Sequence, residues 1–181
     1  LEHGPGLSVA VIAQELGVSQ AALFRRVGTK EELLVRALSP RPPAWIARIA
    51  DDVSEAPVRD QLFALLREMD ASFREMMPCI AVLSAAGITP HQAIGHAADP
   101  VPAQAHRALS KWFARLAAAK KIRNLPAEDL ALAILGALQS RHMLAHALGE
   151  RAPKPSQLYL EHLVEVFWQG MDPRRDMEHV P

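Results

Sequence analysis

Apolar residues recur every three or four positions along almost the whole chain, and the strict alternation of a half-buried strand is missing. Ala and Leu, both strong helix formers, dominate these runs. The pattern predicts an all-α fold. Near the start, Val9, Ile12, Ala13 and Leu16 share one face of a helix that Ser8 caps. Gly17 suits the left-handed residue of a tight turn, and Ser19 caps a second helix that runs to about Arg26 and buries Leu23 and Val27. Thr29 and Glu32 have the spacing of a capping box and open a third helix through Leu33, Leu34 and Leu38.

The segment "SPRPP" at 39–43 must break that helix, because proline lacks an N–H donor and its ring crowds the preceding turn. A domain boundary is expected there, with a small domain at 1–39 and a larger one at 40–181. Further helical stretches are expected at about 44–54, 58–77, 79–86, 101–121, 127–149 and 156–171. Pro78 is expected to kink or end one of them. Residues 87–100 read as the loosest connection, and 172–181 as a frayed tail.

Composition narrows the picture. The chain has 181 residues, half of them hydrophobic and 22% charged, which is a globular and not a disordered balance. Twenty basic residues cancel twenty acidic ones, so any nucleic-acid surface must be local. The single Cys79 excludes an internal disulfide and fits a reducing cytoplasm. No apolar run approaches the ~20 residues of a membrane span. No signal peptide is read, and since the chain opens on Leu1 and not on an initiator Met, residues upstream of it are expected.

The exception to the even charge balance lies in "GVSQAALFRRVGTKEELL" at 17–34, where Arg25, Arg26 and Lys30 gather with no acid among them. A helix, a glycine turn and a second helix with a polar start form the helix-turn-helix pattern. Ala13 is small where the helices would cross, and Ile12, Leu16, Val18 and Leu23 would hold the crossing. The second helix would then enter the major groove. Gln20 can pair bidentately with adenine and Arg25 with guanine, while Arg26 and Lys30 suit phosphates. Ser8, Ser19, Ala22 and Phe24 complete the residues expected at the DNA. The alternative is a surface helix pair with a solvated basic face.

Residues 7–38, "LSVAVIAQELGVSQAALFRRVGTKEELLVRAL", resemble the DNA-binding domain of the tetracycline-repressor (TetR) family of bacterial transcriptional regulators. The likeness rests on Ile12-Ala13, Gly17-Val18-Ser19, the aromatic Phe24, and Thr29-Lys30-Glu31-Glu32-Leu33-Leu34. It departs from the family in three ways. Only "LEHGPG" stands where the family has a first helix. Phe24 replaces the usual Tyr, which removes one phosphate contact. The prolines at 40–43 fall where the family's connecting helix runs.

The resemblance implies a homodimer formed by the last two helices, and the residues support one independently. "LALAILGAL" at 130–138 has no polar residue, so that helix needs cover on both sides. Leu160, Leu163, Val164 and Phe167 mark one face of the last helix, and Gly136 would allow close approach. Ile134, Leu138, Leu163 and Phe167 are the expected interface residues. The alternative is one wholly internal helix.

An effector pocket is expected from Met69, Phe73, Met76, Met77, Trp112 and Phe113, large adaptable apolar side chains, with His106 and His142 as polar groups. Such stripes also make ordinary core. His142 and His146 are four apart on one helix, but the acid of a zinc-hydrolase motif is missing, so neither metal nor catalytic residue is assigned. No cofactor is expected. The expectation is a cytoplasmic, dimeric, ligand-responsive regulator, a repressor that leaves its palindromic double-stranded operator when a small, mainly apolar molecule binds. The rival is a helical small-molecule or metal-binding protein without a DNA-binding role.

Overall fold

The computed structural model describes residues 8–39, 41–51, 54–94, 98–154 and 156–176. The fold is all-α, and no strand occurs among the described residues. Nine α-helices follow one another among these residues. They are α1 (Val9–Glu15), α2 (Gln20–Val27), α3 (Lys30–Leu38), α4 (Ala44–Asp51), α5 (Val58–Ala85), α6 (Pro90–Ile94), α7 (Val101–Ala118), α8 (Ala127–Leu148) and α9 (Tyr159–Met171). Among them, none is long and apolar enough to cross a membrane. The segments at 1–7, Pro40 and 177–181, which hold "LEHGPG", part of the proline cluster and the end of the tail, lie outside the described residues.

The chain forms two compact units. The first takes in Leu1–Arg41 and Met76–Pro100, and the second Pro42–Glu75 and Val101–Pro181. In the first, each of the three opening helices begins on the side chain expected to cap it. Ser8 Oγ accepts from Val11 N at 3.3 Å, Ser19 Oγ from Ala22 N at 3.1 Å, and Thr29 Oγ1 from Glu32 N at 3.1 Å. Ala13 and Leu23 are buried here, and so are Met77, Leu83 and Ile88. Residues 87–100 do contain structure, because Thr89 caps the short α6 through Gln92 N.

The second unit holds the main core. Helical spacing selects its members: Leu62, Leu65, Leu66 and Met69 from α5; Ala105, Ala108, Leu109, Trp112 and Leu116 from α7; Ala131, Ile134 and Leu138 from α8. Trp45, Ile46 and Ile49 of α4 and Val164 and Met171 of α9 join them. Arg115 donates to the Ile49 carbonyl, which satisfies an acceptor near the end of α4. Arg123 N donates to Met171 O at 2.9 Å and ties the α7–α8 connection to the end of α9.

Pro78, expected to kink or end a helix, does not end one: it lies inside the continuous 28-residue α5. A proline within a helix costs about 3 kcal/mol through the lost bond and the crowded carbonyl. Burial of Leu62, Leu65, Leu66 and Met69 before it, and of Met77 and Leu83 after it, outweighs that local cost.

Candidate functional site

α2 presents its basic residues outward for a simple geometric reason. Leu23 is the buried residue of this helix, and Arg25 lies two positions on, about 200° round an axis of 3.6 residues per turn. Arg25, Arg26, Gln20 and Phe24 are all exposed, and Ala22 is half-buried. Neither arginine has an ion-pair or hydrogen-bond partner among the described residues. Both sit in the last turn of α2, where the helix dipole favours cations. Lys30 is different. It opens α3, where the same dipole disfavours a cation, and it is half-buried. Ser8 and Ser19 are exposed, with their hydroxyls engaged as caps.

The α2–α3 junction is built on Gly28, which the sequence reading passed over. Its φ is +87°, and its N–H donates to Phe24 O at 2.7 Å. Glu32 closes the capping box by accepting from Thr29 N at 2.8 Å, which brings its carboxylate over Gly28. A Cβ on Gly28 would lie 1.6 Å from Glu32 Oε2. The visible signal was a glycine directly before a capping box. Gly28→Ala is therefore expected to cost about 1–2 kcal/mol, from a strained positive φ and a lost cap bond. Thermal melts of Gly28→Ala with and without Glu32→Ala should show a smaller penalty in the second background.

Two side chains expected to hold the α1–α2 crossing do not. Leu16 is 61% exposed and Val18 is exposed as well, leaving Ala13 and Leu23 buried and Ile12 half-buried. Leu16 and Val18 flank Gly17, whose φ of +64° turns the chain there, and both point to solvent.

The expected pocket residues divide. Met69, Trp112 and Phe113 are fully packed core of the second unit, with Phe73 against them. Met76 and Met77 belong to the first unit. A methionine and aromatic stripe at helical spacing has here filled a core. Trp112 also borders an open cleft of about 250 Å³ with Arg48, Ser54, Asp60 and Gln61. A larger cleft, about 500 Å³, is lined by residues that were not expected, among them Arg59, Lys121, Trp168 and Arg174. His106 is half-buried, and its carbonyl accepts from Ser110 Oγ at 2.9 Å.

His142 has a partner that sequence spacing does not reveal. Its Nε2 lies 2.8 Å from Oδ1 of Asp70, 72 positions earlier, and its ring stacks on Phe73 at 5.9 Å. Asp70 and His142 are 3% and 9% exposed. Arg141 Nη1 reaches the same oxygen at 3.1 Å, and Arg74 Nη2 reaches Oδ2 at 2.9 Å. The Arg141 guanidinium lies 5.0 Å over the Tyr159 ring. The signal for this cluster was an acid at 70, four residues after Leu66 on an otherwise apolar stripe. His146, by contrast, is exposed.

Of the expected interface residues, Ile134 and Leu138 are fully buried in this chain's own core and have no surface for a partner. A helix that is apolar all round has no preferred inward face, so packing made the choice. The face left uncovered on α8 carries Leu132 (64% exposed), Gly136, Gln139 and Met143 at helical spacing. On α9, Tyr159 and Leu163 are half-buried, and Val166 (68% exposed) and Gly170 continue their row outward. Phe167 is half-buried against the core. Comparison of the chain with known protein families and with curated proteins finds no match.

Proposed function

We propose that this chain is a ligand-responsive, DNA-binding transcriptional regulator. It acts as a cytoplasmic homodimer and represses at a palindromic operator until a small molecule binds its larger helical portion. The observation that carries the reading is the outward pair Arg25 and Arg26 on a short capped helix, with no partner among the described residues. Phosphates and guanine edges are the ligands such unpaired guanidiniums suit. The resemblance of residues 7–38 to TetR-family regulators supports it further.

The homodimer is supported by the two uncovered rows on α8 and α9. Each contains an exposed glycine, Gly136 or Gly170, at which an added Cβ would meet nothing within 4 Å. Two such helices from each copy would form a four-helix contact. Operator half-sites then lie one helical turn, about 34 Å, apart.

Binding to a genomic fragment pool at several salt concentrations tests the DNA reading. Arg25→Ala should cost about 1–3 kcal/mol at the selected site and relax its sequence preference. Removing Arg26 as well should lower the salt slope by about one unit. Equal binding by wild type and an Arg25/Arg26/Lys30 triple-alanine variant would refute the reading. For assembly, Leu132→Glu should convert a dimer to a folded monomer in sedimentation, and operator affinity should drop as the linked half-sites separate. A wild type that is monomeric at micromolar concentration would contradict it.

A further inference from the structure

The Asp70 cluster has more positive than negative charge and more donors than it uses. One carboxylate faces two guanidiniums, Arg74 and Arg141, which leaves one positive charge. As a carboxylate, Asp70 requires Nε2 of His142 to carry the hydrogen, which leaves Nδ1 an acceptor and Arg141 the source of the open donors. Among the described residues Nδ1 has no hydrogen-bond partner. Arg141 uses one nitrogen on Asp70 and one face on Tyr159, and its remaining N–H groups have no protein acceptor there. Its side chain is 26% exposed, against 4% for Asp70. The acid is thus the buried anchor, and the open donors stand on its solvent side.

The neighbouring side chains are aromatic and apolar. Phe73 stacks on His142, and Tyr159 lies beneath Arg141. Every residue from Met143 to Arg151 is exposed, so α8 leaves the core immediately after His142. Leu144 and Leu148 follow Arg141 at one and two turns and remain exposed.

We propose that Arg141, oriented by buried Asp70, binds the carboxylate of a small amphipathic acid whose apolar or aromatic body lies against Phe73, Tyr159 and Leu144. The guanidinium fork matches a carboxylate bidentately, and the local excess of positive charge selects an anion over an amine. This inference rests on the effector reading above and names the polar end of that effector.

Phenylbutyrate is the probe, with phenylbutyramide as its neutral counterpart and inorganic phosphate as an anion without an apolar body. Calorimetry and thermal melts on the full chain should show phenylbutyrate binding at least tenfold more tightly than the amide, about 1.4 kcal/mol. Phosphate should give no shift. Arg141→Gln should remove the preference for the acid. Lys121→Gln, a cation elsewhere in the unit, should leave it intact. Circular dichroism confirms folding, and Arg141→Lys, which keeps the charge but loses the fork, is a second variant expected to reduce the preference. Equal affinity for acid and amide, an unchanged preference in folded Arg141→Gln, phosphate binding as tight as phenylbutyrate, or no binding of any probe would each overturn the proposal. Arg141-dependent phenylbutyrate binding that leaves DNA affinity unchanged supports this site and counts against the regulator reading alone.

Discussion

Leu138→Glu is expected to unfold the second unit. Leu138 has no exposed surface and packs with Ile134, Ala131 and the α5 and α7 core residues. Replacement removes a fully buried leucine and places a carboxyl group where no partner is available. Loss of more than about 4 kcal/mol is expected, a large fraction of a domain's stability. Urea unfolding followed by circular dichroism measures it. Leu132→Glu, six positions earlier on the same helix but on its uncovered face, should change monomer stability by no more than about 0.5 kcal/mol. A folded, monomeric Leu138→Glu would mean that the inward face of α8 is misassigned.

Asp70→Ala is expected to be the most damaging single change to a polar group. It leaves His142, 9% exposed, and the partly buried Arg141 without their acceptor. Breaking a buried pair by deleting one partner costs about 3–5 kcal/mol. Arg74 adds little, because its side chain is 70% exposed and water replaces the lost contact. Replacing the group together, as Asp70→Leu with Arg141→Leu and His142→Phe, should recover most of the loss, since no uncompensated charge then remains buried. Shifts in urea midpoint at constant slope provide the comparison. A single Asp70→Ala variant as stable as wild type would show that the cluster is solvated in solution.

What could be read along the chain was local in origin. The caps at Ser8, Ser19 and Thr29 depend on groups three positions apart, so three letters are enough to state them. The all-α class and the core positions of α5 and α7 follow from a 3.6-residue period. The outward Arg25 follows from its offset to Leu23. Packing settled what local pattern leaves degenerate. α8 is apolar all round, so nothing in its own residues chose Ile134 and Leu138 for the inside and Leu132 for the outside. Pro78 breaks a helix judged by its own turn, but burial on both sides of it carried α5 through. Met69, Trp112 and Phe113 have the side chains of a cavity or of a core, and only the neighbouring helices determine which. Asp70 and His142 are separated by 72 positions, and their pairing exists because α5 and α8 meet in one bundle. A contact between distant segments depends on the burial that brings those segments together, a property of the whole packed unit and not of either stretch alone.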